Sequence, residues 1–265
     1  MSWSVHDVSV TFGDTAALSG VSLGIAPGAL QSVIGGDGAG KSTLLKVLAR
    51  LDIGQTGTAV LPPAKRISYV PADGGVFGDL TIDENIEFVA RAYRLRNWSG
   101  AARTLLERAD LPHFGDRLAG HLSGGQRRKL AGCMALLPEP ELLILDEVTT
   151  GVDPVSRLEL WRLMTAAAAD GAAVVAATTY LDEAERTSAV TLLHEGRVLA
   201  AGTPASIIAS VPGAVEERDT PADAAIAWRK GRRWRQWEPE SRGGRVLTLE
   251  DAAIIFELMA NEVSA

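Results

Sequence analysis

Gly35-Gly36-Asp37-Gly38-Ala39-Gly40-Lys41-Ser42 fits the pattern G-x-x-x-x-G-K-[ST]. Such a loop binds phosphate. Its glycines let consecutive backbone N–H groups turn inward, and the helix that follows offers its positive end to an anion. Lys41 would reach the β/γ-phosphates of a nucleotide, and the Ser42 hydroxyl would ligate Mg²⁺. A chance match in a glycine-rich turn would arise in about 1 in 100 chains of this length. Here the loop follows a strand-like run and opens a helix-like one, the context phosphate binding requires.

Leu142-Leu143-Ile144-Leu145-Asp146-Glu147 is an apolar run ending in two carboxylates. Asp146 suits the water shell of a metal, and Glu147 suits polarisation of an attacking water. Strands often end in solvated acids, so this pair gains its meaning from the upstream loop. Leu122-Ser123-Gly124-Gly125-Gln126 makes a second anion site. Ser123-x-x-Gln126 is a capping box opening a helix, and two glycines expose N–H groups beside it. An ordinary cap does not need that glycine pair.

The elements that must position these groups alternate between strand-like and helix-like up to about residue 210, the pattern of an α/β fold with a largely parallel sheet. Leu30–Ile34, Leu142–Leu145 and Val174–Ala177 are short apolar runs of the buried-strand kind. Lys41–Leu51 places Leu44, Leu45, Val47, Leu48 and Leu51 on one helical face. Thr81–Leu95, opened by a Thr81-x-x-Glu84 capping box, and Ala101–Ala109 predict two more helices. Val190–Leu193 and Arg197–Ala200, around His194-Glu195-Gly196, predict a hairpin. After Pro212-Gly213 the texture changes. Residues 211–265 hold three of the six tryptophans and a basic cluster, and end in a predicted helix over Leu249–Met259.

Composition narrows the function classes. The 265 residues carry a net charge of −7, which disfavours a dedicated nucleic-acid binder. One cysteine, Cys133, fits a reducing compartment. The first residues lack a signal peptide's pattern, and no apolar run reaches the roughly 18–20 residues of a membrane span. A soluble, cytoplasmic protein is expected.

With the phosphate loop, LSGGQ and the acidic strand end in this order, and Ser123 23 residues before Asp146, the sequence resembles the ATP-binding-cassette (ABC) family of ATPases over about residues 3–205. That resemblance implies a phosphate-loop (RecA-like) α/β core with a mostly parallel sheet, an antiparallel β subdomain and an inserted helical subdomain over about 78–125. The ATPase domain would span 1–210, and a small α+β accessory segment 211–265. It makes Phe12 the platform for adenine and Gly35, Gly36, Asp37, Gly38, Ala39, Gly40, Lys41, Ser42 and Thr43 the nucleotide loop. Ser42 and Asp146 become the metal residues and Glu147 the catalytic acid. Ser123, Gly124, Gly125 and Gln126 become the signature, and Asp153, in Gly151-Val152-Asp153-Pro154, lies in the loop crossing a dimer interface. ATP and Mg²⁺ are the implied cofactors. The implied partners are an integral-membrane permease, met near Val76–Leu80 at the cytoplasmic face of the membrane, and a second cassette facing head to tail. Each signature would then complete the other chain's ATP site.

Three positions depart from the family: Asp37 replaces an Asn, Ala72 the Gln that contacts metal and water, and Thr179 the His that contacts the γ-phosphate. Asp73 could replace the lost Gln, or simply be solvated. These departures resemble the degenerate amino-terminal cassette of exporters with two unequal ATPase halves. A regulatory subunit that hydrolyses little, or a soluble ribosome-associated cassette protein, are the alternatives. In the tail, Trp228–Trp237 carries five basic residues within 229–235. Contact with lipid headgroups or RNA is one reading. The favoured one is a strand and helix of a small accessory fold, with tryptophan packed inside and arginine solvated or paired with the tail's acids.

Overall fold

The computed structural model describes residues 2–111, 115–241 and 247–264. A hairpin of β1 (Trp3–Phe12) and β2 (Thr15–Ile25) leads into β3 (Leu30–Ile34), α1 (Lys41–Leu48), β4 (Thr56–Val60) and β5 (Ile67–Val70). Three helices follow: α2 (Ile82–Ala92), α3 (Ser99–Arg108) and α4 (Gly124–Leu136). Next come β6 (Leu142–Asp146), α5 (Pro154–Ala169), β7 (Ala173–Ala177), α6 (Leu181–Ala184), β8 (Ala189–His194) and β9 (Arg197–Gly202). The C-terminal part holds α7 (Pro204–Ala209), β10 (Ala214–Arg218), β11 (Ala227–Lys230), β12 (Arg233–Glu238) and α8 (Leu249–Ser264).

The central sheet has the order β5-β6-β7-β3-β8-β9 and is parallel except for the last pair. Every residue of β3, β6 and β7 is buried, which explains the unbroken apolar runs Leu142–Leu145 and Ala173–Ala177. Strand β3 departs from the expected apolar run by burying Gln31 and Ser32 at its middle. Register then positions the site. Ala177 of β7 pairs with Val33 on one side and Asp146 on the other, so the phosphate loop and the acidic pair leave the sheet at one level. Ligands of parallel sheets bind at this edge, beyond the carboxyl ends of the strands.

A second sheet, order β2-β1-β4, is antiparallel. Its Val5, Val8, Leu18 and Val21 share a core with Leu44, Leu45 and Leu48, so α1 is packed between two sheets. The helical part has its own core, in which Ile82, Ile86, Leu106, Leu130 and Cys133 meet Leu163 of α5. The predicted capping box of α2 is formed, with Glu84 N bonded to Thr81 and Thr81 N to Glu84.

Helix ends correct the sequence reading. The helix expected to Leu51 stops at Leu48, and Leu51 is exposed. Arg50 takes φ +58°, and Leu51 N reaches back to Lys46 O. Arg94 (φ +56°) ends α2 and Asp110 (φ +54°) ends α3 in the same way. Glycine usually occupies such left-handed stops, so these three residues carried no warning. The hairpin turn did carry one: Glu195 and Gly196 both have positive φ, as a type I′ turn requires.

The C-terminal strands form a sheet of order β10-β12-β11, on which α8 packs. Trp237 is buried and its indole N–H donates to Pro212 O at 2.8 Å. Arg235 pairs with Asp251 and Glu217, Lys230 with Glu250, and Arg233 with Asp219. The favoured reading of the basic cluster holds for Trp237, Lys230, Arg233 and Arg235, while Arg229 and Arg232 are exposed and Trp228 and Trp234 are only part-buried. The segment is no loose appendage, because its core includes Ile34, Ala184, Val190 and Leu192 of the nucleotide-side layers.

Candidate functional site

β3 runs into Gly35, where φ is +152° and a Cβ would lie 2.2 Å from the Leu193 carbonyl oxygen. At Gly40, φ is +101° and a Cβ would lie 2.6 Å from the Ala17 carbonyl oxygen. Only glycine closes the loop against these two backbones. Gly40 is also the N-cap of α1 and supplies no capping side chain, so first-turn N–H groups remain for an outside anion. Lys41, 5% exposed, donates to Gly35 O at 2.9 Å and Gly36 O at 3.1 Å. Its ammonium also lies 3.3 Å from Glu147 Oε1. Asp37 is exposed, as are Gly36 and Gly38, while Ala39 is buried.

Asp146, 2% exposed, accepts from Ser42 Oγ at 3.1 Å on one oxygen and from the Tyr69 phenol at 3.3 Å on the other. Burial pushes its carboxyl above the ordinary value, against the pull of these two donors. Hydroxyl and carboxylate oxygens side by side suit a hard cation such as Mg²⁺, which binds through one or two carboxylates and completes its shell with phosphate and water. Glu147 has φ +50°, a conformation that costs a non-glycine residue on the order of 1–3 kcal/mol. Its N–H is anchored on Ala177 O at 3.1 Å. Strain of this kind collects where side-chain aim matters, and here Glu147 meets Lys41.

Ser123 and Gln126 form the predicted capping box at the start of α4. A Cβ at Gly124 would meet nothing within 4 Å, whereas one at Gly125 would lie 2.5 Å from Ser156 Oγ and 3.0 Å from Asp153 Oδ2. The signature thus sits against the start of α5, and no contact among the described residues brings it to its own phosphate loop. Asp153 is the N-cap of α5, accepting from Val155 N at 3.1 Å and Ser156 N at 3.0 Å. Those bonds hold its carboxyl below the ordinary range. An Asp-Pro step is itself a helix-start signal, which the motif reading passed over. Phe12 stands half exposed opposite Thr15, apart from the loop's own contacts.

Ala72 and Thr179 are both exposed. Asp73 is exposed too, with its carboxylate accepting from Gly75 N at 3.1 Å. Pattern reading missed several groups around these positions. Glu183, 2% exposed, accepts from Thr149 Oγ1 at 2.9 Å and Thr178 Oγ1 at 2.6 Å, and pairs with Arg157 at 3.1 Å. It ties the segment before Thr179 to the one after Glu147. Arg128 of α4 lines a cavity beside Leu145 and Val148, and burial lowers its basicity.

The family model described as "ABC transporter" matches residues 18–150. The chain belongs to the ABC transporter family of ATPases. This cassette is 38% identical over 215 residues to the probable multidrug ABC transporter ATP-binding protein YbhF of Escherichia coli, a match covering 76% of the chain and 37% of YbhF. It is 36% identical over 223 residues to the daunorubicin resistance ATP-binding protein DrrA3 of Streptomyces coeruleorubidus, covering 79% of the chain and 71% of that protein. For DrrA2 of the same organism the figures are 37% identity, 73% and 64%. The cassette thus spans only part of the first of these relatives. A solved ATP-binding subunit of an ABC transporter superposes with a TM-score of 0.72 at 29% identity, covering 78% of the cassette and 92% of that chain. The α/β core with added antiparallel sheets is the family's fold. Among the described residues, no helix of the cassette is long and apolar enough to cross a membrane.

Proposed function

We propose that this chain binds Mg-ATP and energises a separate membrane permease as the ATPase subunit of an exporter, working as the impaired half of an asymmetric cassette pair. The observation that carries the reading is the meeting of Lys41, Ser42, Asp146 and Glu147 at one edge of the sheet, with two loop carbonyls and Glu147 around a buried ammonium. Lys41 exchanges those acceptors for phosphate oxygens, and Gly35–Thr43 wraps the phosphates. Ser42 and Asp146 would hold Mg²⁺, which when bound would supply charge neutralisation for phosphoryl transfer. Glu147 polarises the water, and Phe12 stacks on adenine. Ala72 brings no amide to the metal and the water, and Thr179 no imidazole to the γ-phosphate, which slows this site.

The open space at Gly124 and the capping box at Ser123 and Gln126 leave a signature that a partner cassette's nucleotide can approach, with Asp153 crossing beside it. Domain limits of 1–210, with a helical part over about 78–125, and 211–265 fit this division of labour. Phe77 and Phe88 stack edge-to-face at 4.7 Å and remain 43% and 49% exposed, an apolar patch suited to a permease's cytoplasmic segment. The resulting place is the cytoplasmic face of the membrane, with no nucleic-acid partner. Crosslinking from Phe77 in cells tests the reading. Capture of a polytopic membrane protein is expected, and capture of ribosomal components instead would overturn it.

A further inference from the structure

Register determines which groups can reach the metal-side carboxylate. Strands β5 and β6 are parallel neighbours, with Tyr69 opposite Ile144 and Val70 opposite Leu145. Asp146 lies two residues beyond Ile144, so Tyr69 and Asp146 share one face of the sheet as diagonal neighbours, a spacing only a long side chain can bridge. Tyr69 bridges it, donating its phenolic O–H to Asp146 Oδ2 at 3.3 Å. Ser42 occupies Oδ1 at 3.1 Å, so one donor from each side sets the plane of a buried carboxylate. With Ser42 engaged by a metal, the phenol would be the donor of this pair left on Asp146. An ionised carboxylate has about four lone-pair sites, so one phenol leaves room for metal-bound water.

The same strand leads to Ala72, where the resemblance expects an amide that contacts the metal. Ala72 is exposed and carries no polar group, and Asp73 spends its carboxylate on Gly75 N. We propose that Tyr69 is a positioning residue for Mg²⁺: by orienting Asp146 it supplies from β5 the hold on the metal site that Ala72 cannot. The inference rests on the nucleotide reading above. Tyr69 acts through Asp146 and touches no reacting atom.

The test is calorimetric titration of the full chain with ATP, in excess EDTA and again in excess Mg²⁺. Tyr69→Phe keeps the ring and removes the donor. Loss of a hydrogen bond to a charged group should shrink the Mg²⁺-dependent gain in ATP affinity roughly tenfold, with affinity in EDTA unchanged. Tyr69→Phe combined with Ala72→Gln should regain it. If Tyr69→Phe weakens ATP equally in both conditions and lowers the melting temperature, the residue is merely structural and the proposal is wrong. Failure of Ala72→Gln to restore the gain overturns the equivalence with the missing amide. Ser42→Ala separates the two levels of inference. If Ser42→Ala abolishes the gain while Tyr69→Phe preserves it, the Tyr69 proposal alone falls. If Ser42→Ala also preserves it, the nucleotide reading falls with it.

Discussion

The Lys41 ammonium and the Glu147 carboxylate lie 3.3 Å apart, joining the helix after the phosphate loop to the end of the acidic strand. Lys41 is almost fully buried and Glu147 is a quarter exposed, so the lysine depends on partners more than the glutamate does. A polyphosphate must compete with this carboxylate for the ammonium. Lys41→Ala should therefore weaken Mg-ATP binding by at least roughly tenfold, since a charge-assisted contact is worth about 1.5–3 kcal/mol. Glu147→Gln should bind Mg-ATP no more weakly than the parent chain. Calorimetry on both variants checks the pair, and equal losses would contradict the arrangement.

Gly124 and Gly125 stand next to each other but answer to different constraints. An added methyl group meets nothing at Gly124, whereas at Gly125 it strikes Ser156. Gly124→Val should leave the melting temperature nearly unchanged while hydrolysis at the partner's site falls on the order of 100- to 1,000-fold, the loss expected when preorganised contacts fail. Gly125→Ala should lower the melting temperature by itself. Thermal scans and ATP turnover of a reconstituted cassette pair separate the two effects.

Restoring what the site lacks should raise its rate. Ala72→Gln with Thr179→His returns two polar contacts, each typically worth about 2.7–4 kcal/mol in the transition state. Both positions are exposed, so the larger side chains need no repacking of the core. Single-turnover hydrolysis by this chain, paired with a partner whose own catalytic Glu is neutralised, should rise at least tenfold. No change would argue against the impaired-half reading.

Asp251 gives a pH prediction. Burial raises its carboxyl, but donors from Thr248 N, Thr248 Oγ1 and Arg235 outweigh burial and hold it below the ordinary range. A depressed folded-state value stabilises the protein above the unfolded Asp value of about 3.9, and that stability is lost as pH falls through the folded value. Fluorescence of Trp228, whose indole N–H donates to Asp251 at 3.3 Å, should report loosening of the C-terminal sheet below about pH 4. Asp251→Ala at neutral pH should cost on the order of 3–5 kcal/mol, because it leaves Arg235 buried beside one weaker partner.

Some of this molecule is written locally. Gly35–Ser42 and Ser123–Gln126 need particular residue types at fixed spacing, because backbone donors and caps act over one turn. Leu142–Leu145 shows as an apolar run because both faces of its strand are covered, whereas β3 is buried equally but carries Gln31 and Ser32 and so shows more weakly. Other features have no local signature. Arg50, Arg94 and Asp110 end helices in left-handed conformations that their side chains do not announce. Glu183 looks like one of several acids after Thr179 until folding buries it between Thr149, Thr178 and Arg157. The bond from Tyr69 to Asp146 spans 77 positions of the chain and exists only because β5 and β6 pair in one register. Chemistry between neighbours in sequence could be read from residue types alone. Chemistry between neighbouring strands waited on the sheet, because a shift of one residue in register would send Tyr69 to the opposite face.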